Sequence, residues 1–422
     1  MTFTILHGNN LDILPTLPDN SVDSIVTDPP YELGFMGKKW DISGIAYSVE
    51  LWAECLRVLK PGGHLLSFGG TRTFHRVAVA IEDAGFEIRD NIAWLYGSGF
   101  PKSLDVSKAI QKASGVEPVG SIDNKDSKFM GDGWNATPRQ LIMPETEGDA
   151  KKWSGFGTAL KPAHEPIIVA RKPLIGTVAN NVLTHGTGAL NIDGSRIGAE
   201  GGTKGAGAGA GAGIYGDGLN GERGLAVDGL GRWPANIILD EHTAGLLNGQ
   251  SGVSASKATN RGLQCSGSHG GLAGESKELK EGTDSIRGHN GSGGASRFFY
   301  VAKASKRDRN EGLEDLPKKQ AAFGGHGNNE QDGMTKQLVH APRQNFHPTV
   351  KPTALMEYLV KLVTPPNGTV LDPFTGSGST GKAAILNGFD FIGIEMTEDY
   401  LPIIKARLKH AEATYGSQIR MD

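Results

Sequence analysis

Two short stretches of this chain hold residue types that could do chemistry together. The first is Thr27-Asp28-Pro29-Pro30-Tyr31, which closes the apolar run from Val22 to Val26. Asp28 can accept a proton or a hydrogen bond. Consecutive prolines lack N–H donors and have fixed φ, so the carbonyl of Pro29 is left free and rigidly aimed. Tyr31 offers a flat face on which a base can stack. An acid, a fixed carbonyl and a ring at one strand end could hold an exocyclic amine while its nitrogen is substituted. Taken alone, the same residues also read as a Pro-Pro turn after a buried strand.

The second stretch is Asp372-Pro373-Phe374-Thr375-Gly376-Ser377-Gly378-Ser379-Thr380-Gly381, with Glu395 at the end of the strand that follows. Gly376 to Gly381 matches G-x-G-x-x-G between a strand and a helix, the dinucleotide-binding pattern, so a nicotinamide-dependent dehydrogenase must be weighed. In either case the backbone approaches a ligand closely and Glu395 accepts from two ribose hydroxyls. What lies beyond the ribose distinguishes the two. A pyrophosphate needs a helix N-terminus free of negative charge. Asp372 stands just before this loop and suits a cationic amino-acid tail instead. S-adenosylmethionine has such a tail and a sulfonium besides. A glycine turn without a ligand is the plain structural alternative.

These motifs need strands that end in one place. Phe3–His7, Val22–Val26, His64–Phe68, Phe86–Leu95, Pro166–Ala170, Thr369–Leu371 and Phe389–Ile394 read as strands. Helical spacing of apolar residues falls between them, from about 46 to 60, from 74 to 85, and from Leu355 to Leu362. Lys60-Pro61-Gly62-Gly63 should stop the first of these helices. Strand–helix alternation implies an α/β fold with a mostly parallel sheet covered on both faces. In such a sheet, ligands sit beyond the carboxyl ends of the strands at a switch point, so both motifs should face one cleft. A methyl donor beside a proline-aligned amine specifies methyl transfer to nitrogen.

The remainder is less regular. Residues 98–163 mix Lys, Asp, Gly and Ser with isolated aromatics, and 174–345 is Gly-rich. The repeat from Gly205 to Gly213 has no side chains with which to pack or recognise and reads as a flexible surface loop. Arg232–Leu239 and Arg297–Val301 read as strands inside this region. Lys303, Lys306, Arg307 and Arg309 follow the second and are candidate phosphate contacts. The chain has 422 residues, a net charge of −3 and 61 glycines. That charge does not mark a nucleic-acid binder, so a DNA-handling role must rest on local basic patches. Cys55 and Cys265 have no metal-ligand spacing, which argues against a metal site and fits a reducing, cytoplasmic setting. Neither a signal peptide nor a membrane-spanning stretch is evident.

With Asp28-Pro29-Pro30-Tyr31 preceding Asp372-Pro373-Phe374-Thr375-Gly376-Ser377-Gly378, the chain resembles the β-class amino-DNA methyltransferases, especially their phage- and prophage-associated N6-adenine branch. His347-Pro348-Thr349-Val350-Lys351-Pro352, Trp94–Lys102 and His164-Glu165-Pro166 are similar to further family segments. The resemblance implies a permuted, Rossmann-like methyltransferase fold with seven strands, the antiparallel one at Pro166–Ala170. It implies catalytic segments at 1–173, with a loop insertion at about 98–163, and at 342–422. Residues 174–341 would form the target-recognition region. Asp372, Pro373, Phe374, Gly376 and Gly378 would line S-adenosylmethionine and Glu395 would hold its ribose. Asp12 would meet its adenine, and Thr349 and Lys351 its carboxylate end. Asp28, Pro29, Pro30 and Tyr31 would act on a flipped base of double-stranded DNA. N4-cytosine methylation is the nearest alternative, although family members acting on cytosine usually carry Ser where Asp28 stands. Family members often dimerise, so the resemblance implies a homodimer, and a partner nuclease is left open.

Overall fold

The computed structural model describes residues 1–33, 39–97, 103–117, 119–123, 139–142, 147–198, 231–255, 291–303, 307–319 and 342–419, with a few single positions and dipeptides between them. Lys306, Lys102 and the 205–213 repeat lie outside the described residues. The chain forms two compact units. One comprises Met1–Asn191, Asn236–Glu241 and Ala302–Asp422, and the other Ile192–Ala235 and His242–Val301. Residues 174–191 and those from 302 onward, expected in the recognition region, therefore belong to the first unit.

The main sheet is made of the strands β1 (Phe3–His7), β2 (Val22–Thr27), β3 (Leu59–Phe68), β4 (Glu87–Leu95), β5 (His164–Arg171), β6 (Ile237–Asp240), β7 (Tyr300–Ala302), β8 (Thr369–Asp372) and β9 (Asp390–Glu395). They lie in the order β1-β9-β8-β2-β3-β5-β4-β6-β7, so the sheet has nine strands rather than seven. The extra two come from the Gly-rich middle of the chain, where Ile237, Ile238 and Leu239 continue the sheet beside β4. The pairs β1–β9, β8–β9, β8–β2, β2–β3 and β4–β6 are parallel. β5 is antiparallel to both its neighbours, β3 and β4.

Each residue of β2 is buried, as a strand covered on both faces must be. Asp23 is tolerated there because Lys60 Nζ lies 2.6 Å from its Oδ1 and the Thr369 N–H donates to its Oδ2 at 2.8 Å. The covering helices include α1 (Asn10–Ile13), α2 (Val49–Val58), α3 (Phe74–Asp83), α4 (Val178–His185), α5 (Thr353–Val363), α6 (Ser379–Leu386) and α7 (Leu401–Ile419). On one face, Leu51, Trp52, Cys55 and Val58 of α2 and Val77 and Ile81 of α3 pack with Ile25, Leu65 and Leu371.

β3 starts at Leu59, earlier than the Pro-Gly-Gly sequence suggests. The Pro61 carbonyl explains the difference: it accepts from Asn181 Nδ2 at 2.8 Å and from the Thr187 hydroxyl at 2.5 Å. Asn181 is fully buried on α4, and Gly62 at φ 79 has no room for a Cβ beside it. Side chains from over a hundred positions away thus hold an extended Pro-Gly-Gly segment in the sheet.

The second unit uses arginines where apolar residues are scarce. Ile197 bridges to Arg232. The Arg232 guanidinium donates to the carbonyls of Gly198 (3.2 Å) and Arg297 (2.9 Å). Phe298 lies under both Arg232 and Arg297, at 5.1 and 4.4 Å from the ring centre. The 297–301 stretch, read as a strand, begins as a 3-10 turn at Ala295–Phe298 before β7.

Candidate active site

β2 and β8 are parallel neighbours, with Ile25 opposite Leu371, so the residues that follow them emerge at the same sheet edge. Thr27 and Asp372, 345 positions apart, are joined there: the Thr27 hydroxyl donates to Asp372 Oδ1 at 2.6 Å. The Phe374 N–H donates to the same oxygen at 3.0 Å. Burial pushes the Asp372 carboxyl up to about 6, against these hydrogen bonds, and the nearby charge of Asp28 adds to the rise.

The glycine loop is shaped by left-handed backbone and close approach. Gly376 has φ 54 and Gly378 φ 78. A Cβ on Gly376 would stand 3.0 Å from His347 Nε2. A Cβ on Gly381, inside α6, would stand 2.5 Å from the Phe391 ring, so that glycine lets the helix lie close on the sheet. Glu395, at the end of β9, accepts from the Gly376 N–H at 2.8 Å and the Thr397 N–H at 2.7 Å. Burial raises its pKa against those two bonds. Among the described residues no lysine or arginine pairs with either Asp372 or Glu395.

His347 roofs this loop. Its ring packs edge-on to Tyr400 at 4.6 Å and its Nδ1 meets the Thr349 carbonyl. Burial lowers its pKa to about 4, so the ring is neutral at ordinary pH. Arg407 supports the loop from α7. Fully buried, it donates to the Ser377 carbonyl at 2.5 Å and to the Asp308 carbonyl at 2.9 Å.

The end of β2 is built from charged side chains instead. Asp28 Oδ1 lies 3.0 Å from Lys351 Nζ, an ion pair without a well-aligned hydrogen bond. Lys351 also donates to Glu165 Oε2 at 3.0 Å and to the Tyr31 hydroxyl at 2.9 Å. That hydroxyl in turn donates to Glu165 Oε2 at 2.9 Å. Thr73 fixes the segment by donating to the Tyr31 carbonyl at 2.8 Å. Burial raises the Asp28 pKa, Lys351 opposes that rise and Glu165 adds to it. Burial likewise raises the Tyr31 hydroxyl well above its ordinary value, with the charges of Asp28 and Glu165 adding to it. For Lys351 burial works against the charge, yet the two carboxylates outweigh it and hold the ammonium above its ordinary pKa.

The structure thus gathers Asp28, Tyr31, Asp372, Phe374, Gly376, Gly378 and Glu395 at one sheet edge. Pro29 and Pro373 are buried beside them and Pro30 is half-buried. Asn10 of α1 donates to the Pro373 carbonyl at 3.3 Å, whereas Asp12 is exposed. Thr349 is exposed. Lys351, expected at the cofactor's carboxylate end, has its ammonium on Asp28 and Glu165. Arg309, expected on phosphate, directs its guanidinium to the carbonyls of Asn345, His347 and Pro348 at 3.3, 2.8 and 3.4 Å. Lys303 and Arg307 are exposed.

Glu165 and Arg407 were not singled out as site residues. Glu165 sits at the start of β5, and only the antiparallel pairing carries it to the edge where the parallel strands end. Arg407 has a signal in the sequence: it takes an apolar slot in the series Ile403, Ile404, Leu408 and Ala411.

Known proteins are similar in sequence to parts of this chain. M.HindIII, a type II methyltransferase of Haemophilus influenzae, is 31% identical over 151 residues, 34% of this chain and 38% of that protein. M2.LlaDCHI, a type II methyltransferase of Lactococcus lactis subsp. cremoris, is 47% identical over 70 residues, 17% of this chain and 26% of its own. The DNA adenine methyltransferase YhdJ of Escherichia coli is 45% identical over 62 residues, 15% of this chain and 21% of its own. Each alignment thus spans well under half of the relative it matches. Among solved structures, the M1.HpyAVI–SAM complex aligns with 96% of this chain and 99% of its own at 16% identity and a TM-score of 0.38. Residues 22–185 and 295–406, which hold both strand ends, the glycine loop, Glu165 and Lys351, match the N6/N4 DNA methylase model, and the chain belongs to that family.

Proposed function

We propose that this protein transfers a methyl group from S-adenosylmethionine to the exocyclic N6 amine of adenine in duplex DNA. The observation that carries this reading is the side-by-side placement of Asp28 and Asp372 at the ends of neighbouring parallel strands. The glycine loop fits the cofactor on its own chemistry. Asp372 and Glu395 are buried acids with no lysine or arginine paired to them among the described residues, and Gly376 and Gly378 give the loop its left-handed backbone. Asp372 would pair with the ammonium of the amino-acid tail, and Glu395 would hold the ribose hydroxyls with its remaining lone pairs. Bound there, S-adenosylmethionine supplies an electrophilic methyl on a positively charged sulfur.

The protein's own residues do the rest. The target amine is inside the duplex, so the base must leave the stack to reach Asp28. Tyr31 offers a ring beside Asp28 for the extruded base. Asp28 and the Pro29 carbonyl accept the two amine hydrogens and draw the nitrogen lone pair out of conjugation with the ring. As the N–C bond forms and the C–S bond breaks, positive charge grows on nitrogen, and the Asp28 carboxylate stabilises it. The proton lost from that nitrogen passes to Asp28 or to water. Alignment of the two partners supplies a large part of the acceleration.

Asp28 supports adenine over cytosine, because family members acting on the N4 amine usually have Ser there. Nucleoside mass spectrometry of unmethylated DNA incubated with the protein and S-adenosylmethionine tests both points. N6-methyladenine should accumulate, and Asp28→Ala should reduce it by about a thousandfold. N4-methylcytosine in its place would keep the mechanism and change the substrate. Absence of any methylated base would overturn the reading.

A further inference from the structure

Lys351 has three N–H donors and three partners, Asp28, Glu165 and Tyr31, all within 3.0 Å of its nitrogen. Its Asp28 contact falls on the carboxylate that, in the methyl-transfer reading, must receive the target amine. That contact is an ion pair without an aligned hydrogen bond, whereas those to Glu165 and Tyr31 are aligned, so it is the one the lysine gives up when the base arrives. Glu165 and Tyr31 provide the place to which it yields, since both already hold it. The Lys351 ammonium also lies 4.7 Å from the Phe68 ring centre and 5.2 Å from that of Tyr31, so the aromatic walls favour a cation throughout the move.

We propose that Glu165 and Lys351 are a positioning pair. Lys351 is the counter-ion that keeps Asp28 ionised and aimed before the base is inserted, and Glu165 takes over that counter-ion when the amine occupies Asp28. The proposal rests on the methyl-transfer reading for the identity of the incoming amine, while the charge sharing itself is a property of the free protein.

The charged and titratable groups facing Asp28 are Lys351, Glu165, Tyr31 and Asp372. Lys351 favours the carboxylate and Glu165 disfavours it, so removal of each should act in opposite directions. In Lys351→Met, Asp28 loses its cation, its pKa rises, and the acidic limb of the pH–rate profile moves to higher pH. In Glu165→Gln, the repelling charge is gone and the lysine rests on Asp28 alone, so the same limb moves to lower pH. Transfer at its plateau should also slow in Glu165→Gln, because the lysine has lost its second anion. Lys351→Arg, which keeps the charge, should return the limb towards its original place.

Two measurements on the full-length protein test this. One is the pH profile of single-turnover methyl transfer to DNA. The other is a carbon-13 NMR titration of the Asp28 carboxyl, assigned with Asp28→Asn, which needs no turnover. Limb and titration should move together, by about one pH unit or more, which is a tenfold change in activity below the limb. An unmoved Asp28 titration in both variants would overturn the proposal. So would a Lys351→Met variant whose only change is weaker cofactor binding, because the lysine would then serve the cofactor's carboxylate. If Asp28 shifts as expected but no DNA is methylated, the ion network stands and the methyl-transfer reading falls.

Discussion

The ends of β8 and β2 carry acids at the same sheet edge but hold them by opposite means. Asp372 and Glu395 are fixed by neutral donors: the Thr27 hydroxyl and the N–H groups of Phe374, Gly376 and Thr397. Asp28 is held by a cation on a long side chain, which it shares with Glu165. Backbone donors cannot leave, so the glycine side is a rigid cradle with a fixed negative charge. An ammonium on four methylenes can leave, so the proline side can exchange one hydrogen-bonding partner for another. This suits a division of labour in which a bound donor stays in place and an acceptor is brought in from a duplex.

The contrast is sharpest where the backbone itself is changed. Gly376→Val puts a branched side chain at φ 54 and against His347. It should weaken S-adenosylmethionine binding by about a hundredfold, from strain of roughly 2–3 kcal/mol. Calorimetric titration would show it, and Asp28→Ala in the same assay should leave the affinity unchanged. If the two variants lost cofactor alike, the two strand ends would not be separable sites.

A smaller effect follows from the Asp372 carboxyl at about 6. Its raised pKa means that the carboxylate is present above pH 6 and becomes protonated as pH falls through that value. Affinity for the cationic tail should therefore be constant at pH 7–8 and fall below pH 6 towards a level about tenfold weaker. Asp372→Asn should bind about tenfold more weakly at pH 8 and show no such decline. A decline that persisted in the variant would place the titrating group elsewhere.

The smallest effects form a matched pair. Asn10→Ala removes a hydrogen bond to the Pro373 carbonyl, and Thr73→Ala removes one to the Tyr31 carbonyl. Each should cost about 1 kcal/mol, roughly fivefold. The first should appear in the cofactor dissociation constant and the second in the rate of transfer. Single-turnover kinetics with saturating and limiting cofactor would separate them.

Much of this was legible before any coordinates. Asp28-Pro29-Pro30-Tyr31 and Gly376–Gly381 are contiguous motifs whose chemistry depends on neighbouring residues, and strand–helix alternation with buried runs such as Val22–Val26 implied the parallel sheet. The antiparallel strand was expected at Pro166–Ala170 and lies at His164–Arg171. Less was visible where partners are far apart. The resemblance placed Lys351 at the cofactor's carboxylate end and gave Glu165 only as part of a family segment, because Glu165 meets its partners across 134 and 186 positions. Arg309 looked like a surface cation within a basic run, until folding set it on three carbonyls of the His347 segment.

Local sequence therefore determined which residues could do chemistry, because strand ends, proline turns and glycine loops are set by side-chain shape and backbone freedom over a few positions. The tertiary structure decided which charges meet. The order in which strands pair brings Asp28, Glu165 and Lys351 from three distant parts of the chain to one sheet edge, and whether a buried acid is paired with a cation or left for a ligand depends on that juxtaposition alone.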